Sequence, residues 1–319
     1  MDALDFAIYR HLSRDGLARF WASRRLVDPQ VSTREIAEKV ELSEAGVRAR
    51  LRGMRAAGFL RGTEVGVNPS LFGASVVVHE VPVRGARDAE QLFRDLASVD
   101  GVLFARDLLA DEDRRVSVYC AVDNAGASAR KTSLLRRLAP GGAVRGPFPY
   151  WIPACTRAPS PLDWRLLALF RRQPDSTLSR IASNARVSLK TTSRRFDALV
   201  GSRACWWSHS SDSAELPLAL LSVSVREDAD PIRVSGEIAR TTQGWIPVAP
   251  DGLGVDPGGG TRSLAGLVPA VHPAALEALV RQTEGLEGVS DVRRTFGLGS
   301  ATYRDWIDER LGSVLPPRS

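Results

Sequence analysis

Residues 32–51 read STREIAEKVELSEAGVRARL, and residues 177–196 read TLSRIASNARVSLKTTSRRF. Laid over one another, Ile36-Ala37 falls on Ile181-Ala182, Leu42-Ser43 on Val187-Ser188, Arg50-Leu51 on Arg195-Phe196 and Met54 on Leu199, always 145 positions apart. Repetition at a fixed interval marks one structural unit used twice. Within the first copy, Ser32-Thr33-Arg34-Glu35 has the spacing of a capping box, and Thr177 opens the counterpart helix. After a tight turn, Ser43 and Ser188 stand where they can cap third helices, whose apolar faces are Val47, Leu51, Met54 and Thr192, Phe196, Leu199. Opening helices are marked by Leu4, Ile8 and Leu12, and by Leu162, Leu166, Leu169 and Phe170. Three short helices joined by such a turn predict a helix-turn-helix in each copy.

Working outward, Leu4-Asp5 matches Leu162-Asp163 at an interval of 158, so the first copy carries 13 additional residues, placed within Gly16 to Gln30. Downstream of each unit the period changes from helical to alternating. Strands are predicted at Ser75–Val83, Gly101–Leu108, Val116–Val122 and Val144–Phe148, with helices around Ala89–Leu96 and over Ala125–Leu138. The second copy offers Ala219–Val225, Ile232–Thr242, Trp245–Val248, Ser263–Val271, Pro273–Glu284 and Val289–Phe296, then a short helix Tyr303–Leu311. Both follow the order βαββαβ of a ferredoxin-like domain. The expected fold is therefore α+β, with two winged helix-turn-helix domains (residues 1–65 and 160–212) alternating with two ferredoxin-like βαββαβ domains (66–150 and 213–311). The Pro-rich stretch Pro147 to Pro161 is read as the linker between halves.

At 319 residues, 44% of them hydrophobic and 25% charged, the chain has the composition of a multidomain globular protein, and no apolar run is long enough to cross a bilayer. Residues 1–12 lack the pattern of a secretion signal, so the expected location is the cytoplasm, with no membrane partner. Three dispersed cysteines, Cys120, Cys155 and Cys205, form neither a disulfide framework nor a metal motif. A net charge of +6 favours a polyanionic partner.

The run from Ser32 to Ala37, then Leu42-Ser43, Val47, Arg50, Gly58-Phe59-Leu60 and Val67-Asn68-Pro69-Ser70-Leu71-Phe72-Gly73, resembles the Lrp/AsnC family of transcription regulators. The resemblance implies a winged helix-turn-helix joined to a ferredoxin-like effector and oligomerisation domain. It covers the first half; after Leu199 the second half lacks both the glycine turn and the Asn-Pro bridge. The glycine turn and acidic-aromatic pair at which family members bind amino acids are also missing, from Asp111 to Val116 and from Asp256 to Thr261 alike. A small-molecule effector of unstated class at the ferredoxin-like domains is what the layout implies.

Double-stranded DNA is the expected partner. A helix laid in the major groove must present donors to base edges while neighbouring cations meet phosphates. In the first unit Ser43, Glu44, Arg48 and Arg52 fall on that side, and in the second Ser188, Lys190, Thr191 and Arg194, with Leu189 and Ser193 beside them. Arg50 and Arg195, at equivalent positions next to the buried face, could clamp phosphates or lie along the domain surface with their stems packed. Arg61, Trp206, Trp207 and His209 are candidates for wing contacts, although adjacent tryptophans more often mark a domain interface. Gly252 to Thr261 lacks the ending of a phosphate loop and reads as a long hairpin loop. His79 and His272 have no second ligand at metal spacing, so no metal, no cofactor and no catalytic activity are expected. The alternative is a siroheme decarboxylase-like tetrapyrrole enzyme, a group similar in domain layout, although Gly101 to Leu108 supplies Arg106 and no histidine. A four-stranded sheet with helices on one face leaves the other to be covered, so the two ferredoxin-like domains are expected to associate by their sheets, either within one chain or across a homodimer, and a homodimer is expected.

Overall fold

The computed structural model describes residues 4–5, 7–9, 11, 33–110, 113–150, 152, 154–211, 218–241, 246–247, 253–255, 262–269 and 273–315. The additional residues placed within Gly16 to Gln30, the cap at Ser32, and His272 lie outside them. Two compact units form, and each gathers like domains from both halves of the chain. One contains residues 1–72, 153–211 and 307–319, the other 73–152 and 212–306. The expected alternation along the sequence thus becomes a pairing of helix-turn-helix with helix-turn-helix and of sheet with sheet.

In the first unit, helix α1 (helical at residues 4–5, 7–9 and 11) precedes α2 (Thr33–Lys39) and α3 (Glu44–Ala56). Ile8, Ile36, Val47 and Phe59 are fully buried, and Tyr9 meets Phe59 edge to face at 4.9 Å. The second set comprises α6 (Pro161–Arg172), α7 (Leu178–Ala185) and α8 (Leu189–Gly201), with Leu166, Leu167, Ile181 and Leu199 fully buried and Phe170 against Phe196 at 5.3 Å. The repeat interval reappears in the hydrogen bonds. Leu42 N donates to Ala37 O and Val187 N to Ala182 O, both at 3.0 Å; Phe59 N donates to Met54 O and Ala204 N to Leu199 O, both at 2.9 Å.

Among the described residues, neither helix-turn-helix builds a wing of its own. Each contributes one strand, β1 (Leu60–Val67) and β6 (Cys205–Ser211), to a shared antiparallel ribbon. The physical reason is edge satisfaction: a lone strand leaves a row of backbone groups unpaired, and the other copy supplies the missing edge. Thr63 pairs with His209 and Glu64 with Ser208, and these partners stand 145 positions after Glu64 and Thr63 respectively. From Gly62 to Val65, opposite Ser210 to Trp207, the ladder is therefore centred between positions 63 and 64 and maps onto itself when the copies are exchanged; a register shift between Leu60 and Gly62 ends the match. Asn68, fully buried, extends the junction: its backbone N donates to Ala204 O and its side-chain amide to Arg203 O, while its own Oδ1 accepts from Ser70 N.

The second unit is one antiparallel sheet in the order β5-β2-β4-β3-β11-β7-β10, with β8 and β9 both on β10. Its first half runs β2 (Ser75–Pro82), α4 (Ala86–Leu96), β3 (Val102–Ala110), β4 (Asp113–Val122), α5 (Ala125–Leu138) and β5 (Arg145–Tyr150). Its second half runs β7 (Leu218–Val225), α9 (Pro231–Thr241), β8 (Ile246–Pro247), β9 (Leu253–Val255), β10 (Arg262–Pro269), α10 (Pro273–Glu284) and β11 (Val289–Thr302). The stretch expected to be a loop, Gly252 to Thr261, thus contains a short strand, β9. Strand β3 pairs with β11, from Phe104 opposite Thr302 to Leu109 opposite Phe296, joining the halves within one chain. On the face away from the helices, Val76, Leu108, Ser117, Ala121 and Thr295 are at most 5% exposed. Phe104, Arg106, Tyr119 and Leu220 on the same face are half-buried, and the sheets of the two halves are joined edge to edge within one chain. Helix α11 (Asp305–Val314) closes the described chain. No described helix is long and apolar enough to cross a membrane.

Candidate nucleic-acid interface

Each third helix is positioned by a turn held in an unusual backbone state. Glu41 and Arg186, 145 positions apart, both have φ of 54°, the left-handed conformation that lets α2 and α7 stop and the chain reverse. Ser43 Oγ then accepts from Gly46 N at 3.1 Å, and Ser188 Oγ from Thr191 N at 3.1 Å, starting α3 and α8. Both serines were expected among the DNA contacts; the structure gives their hydroxyls capping work, and Ser188 also shares a hydrogen bond with the Thr191 hydroxyl.

Beyond the caps, the two helices present different chemistry. On α3, Arg48 and Arg52 are exposed and Glu44 half-buried, and Arg48 Nη2 donates to Glu44 Oε2 at 3.0 Å. On α8, Leu189, Lys190 and Arg194 are exposed and Thr191 half-buried. Among the described residues Lys190 and Arg194 make no ion pair. Leu189 has no charged or hydrogen-bonding side-chain group, yet it is 51% exposed. Its position in the first turn of α8, just after the Ser188 cap and next to Lys190, was the available signal.

Arg50 and Arg195 are drawn inward. Arg50 Nη1 lies 2.8 Å from Asp5 Oδ1 of α1. Arg195 Nη1 lies 3.5 Å from Oδ2 of the fully buried Asp163 of α6, which also accepts from Arg157 and from Ser160 N. Both ion pairs tie a third helix to its first. Trp206, the only wing candidate whose side chain is described, lies across the ribbon from Gly66, where any Cβ would overlap its indole. It therefore serves the junction between the two domains.

In the sheet unit, His79 is fully buried and its Nε2 lies 2.9 Å from Thr132 Oγ1. Burial, with Lys131 nearby, lowers its pKa to about 4. No cluster of metal-ligating side chains occurs among the described residues. On the face opposite the helices, Phe104, Tyr119 and Tyr150 form a contiguous ring cluster with centroids 5.6 and 5.1 Å apart, and the Arg106 guanidinium lies 5.3 Å from the Phe104 ring centre. Among the described residues Arg106 has no carboxylate partner. Cys120 and Cys205 are buried, which pushes the Cys120 thiol up to about 12 and raises that of Cys205 as well.

Neither a family model nor a curated protein matches this sequence. Among solved structures the chain is similar to the siroheme decarboxylase NirDL, at 11% identity and TM-score 0.48, over 97% of this chain and 98% of that one. The same enzyme in co-complex with an iron-uroporphyrin III analogue matches at 12% identity and TM-score 0.48, covering 98% and 100%. The leucine response regulatory protein LrpA of Mycobacterium tuberculosis matches at 21% identity and TM-score 0.31, over 50% of this chain and 100% of its own. An AsnC family transcriptional regulator from Agrobacterium tumefaciens matches at 17% identity and TM-score 0.30, over 48% and 97%. One expectation is corrected here. The chain was expected not to be an enzyme, yet a structure similar over almost its whole length is one, so this layout does not exclude catalysis.

Proposed function

We propose that this protein is a sequence-specific double-stranded DNA-binding transcription regulator in which one chain supplies both readers of an operator. The observation that carries the reading is the β1–β6 ribbon, whose central register, Gly62–Val65 on Trp207–Ser210, matches itself and has local two-fold character. Two-fold related recognition helices suit inverted half-sites on a duplex. The exposed cations Arg48, Arg52, Lys190 and Arg194 on those helices supply the complementary charge. The proposed stoichiometry is one chain per operator, and the sheet unit is the proposed seat of a small-molecule effector. Equilibrium binding to genomic duplexes at several salt concentrations, with the mass of the complex from light scattering, tests this. Binding that is absent, or independent of salt, overturns it.

A second reading, a tetrapyrrole-handling protein, is favoured by one observation: Arg106 beside Phe104, Tyr119 and Tyr150 offers a cation and ring faces to a planar acidic ligand. Titration with iron-uroporphyrin III separates the readings. A shifted Soret band that disappears in Arg106→Ala supports tetrapyrrole binding, and an unchanged spectrum removes it.

A further inference from the structure

The two-fold of the ribbon relates positions 145 apart, so the residues presented by α3 and α8 can be compared position by position. Glu44 corresponds to Leu189, Ala45 to Lys190, Arg48 to Ser193 and Ala49 to Arg194. At the first position after the cap, one helix offers a carboxylate tied to Arg48, and the other an isobutyl group left 51% exposed. Leu189 and Val314, which lies at the chain end, are the exposed large hydrophobics among the described residues. An exposed leucine beside Lys190 and Arg194 gains nothing from water, whereas the major groove offers an apolar partner in the thymine methyl group.

We infer that the operator is an inverted repeat with unlike halves, in which Leu189 packs on a thymine methyl in one half and Glu44 faces a cytosine amino group in the other. This rests on the DNA-binding reading above and specifies its ligand. The chemistry assigns each side. A carboxylate can accept from cytosine N4 but offers nothing to a methyl; a leucine packs on a methyl and offers nothing to the amino group. Because Arg48 is held by Glu44, it reaches the same half-site as that carboxylate, where the guanine paired with the cytosine presents O6 and N7 to it. Lys190 and Arg194, with no ion pair among the described residues, remain available to phosphates flanking the thymine.

The test uses the full chain and duplexes selected from a random pool. The selected site is expected to be an inverted repeat whose halves differ, one with a thymine that tolerates no other base. Replacing that thymine by uracil, which removes only the methyl, is expected to weaken wild-type binding about three- to tenfold. Leu189→Ala, at an exposed position that leaves the core untouched, is expected to cost a similar factor, and on the uracil duplex to cost nothing more. Glu44→Ala is expected to relax preference in the other half alone. A symmetric selected site, or additive losses for Leu189→Ala and uracil, overturns the inference while salt-dependent DNA binding still stands. Failure of every duplex to bind in a salt-dependent manner overturns the DNA-binding reading itself, and the inference with it.

Discussion

The Arg50 guanidinium lies 2.8 Å from the Asp5 carboxylate, and the same bridge, Arg195 to Asp163, recurs in the second helix-turn-helix at 3.5 Å. Both pairs join the third helix of a unit to its first, and both lie at positions that repeat in the sequence. The second is the more buried, because Asp163 has no exposed side-chain surface and also completes the capping box of α6 with Ser160. Removing one member of a buried pair leaves the other desolvated without compensation. Asp163→Ala is expected to cost about 3 kcal/mol in urea unfolding, and Asp5→Ala about 1 kcal/mol. Arg195→Met should lower stability while leaving the salt dependence of DNA binding unchanged. A lowered slope for Arg195→Met would return that arginine to the phosphate backbone.

Gly58, with φ of 77°, and Arg203, with φ of 63°, occupy equivalent places after the third helices. The second half thus keeps the turn without the glycine, and a side chain in the left-handed region costs about 1 kcal/mol. Arg203→Gly is expected to raise the urea midpoint by an amount worth about 0.5 to 1 kcal/mol, whereas Gly58→Ala should lower it by about 1 kcal/mol or more. Destabilisation by Arg203→Gly would show that the arginine side chain holds the junction by contacts that outweigh its backbone strain.

Trp206 fills the space that a side chain at position 66 would occupy. Gly66→Val should therefore displace the indole and cost about 2 to 3 kcal/mol, with a red shift of tryptophan emission as the ring meets water. Adding Trp206→Ala to Gly66→Val is expected to recover part of the stability. Additive losses would mean that the two positions do not compete for one volume.

His79 links the sheet unit to acid stability. Because the Thr132 hydroxyl donates to Ser128 O at 3.1 Å, His79 must donate from Nε2, leaving a buried Nδ1 without a hydrogen-bond partner. The folded protein resists protonation until about pH 4, while the unfolded chain takes up a proton near 6.5. The unfolded state binds more protons between those values, so the stability contribution is complete above pH 6.5 and is lost as pH falls toward 4, by about 3 kcal/mol at most. His79→Leu should flatten the dependence of the urea midpoint over that window. A slope unchanged by the substitution would assign acid sensitivity to other groups.

The two readers should differ in salt dependence. Each phosphate neutralised contributes about 0.9 to the slope of log affinity against log salt. Lys190→Ala with Arg194→Ala is expected to lower that slope by about 1 to 2 and to weaken binding to all sequences alike. Arg48→Ala, whose side chain is already paired with Glu44, should change the slope little but relax base preference, at a cost of about 1 to 3 kcal/mol on the preferred duplex. Equal slopes for the wild type and the Lys190/Arg194 double variant would remove the second unit from the DNA backbone.

By itself the sequence determined what is local or periodic: the caps at Ser43 and Ser188, the apolar faces through Leu51 and Phe196, the strand and helix order, and the interval of 145. These follow from neighbours within a turn or two, where residue type and backbone preference act directly. Only the tertiary structure decided which edges meet, because a strand's backbone groups bond any suitable edge and carry no address in their side chains. Thus β1 found β6 rather than a wing hairpin, and β3 found β11 in the same chain, joining the two halves edge to edge. The same limit applied to the site. Arg50 and Arg195 looked like Arg48 and Arg194 in one dimension, but folding α1 and α6 against the recognition helices brought carboxylates to the first pair and left the second facing solvent. That Leu189 stays exposed was likewise decided by the fold, since exposure of an apolar side chain is a property of packing and not of pattern.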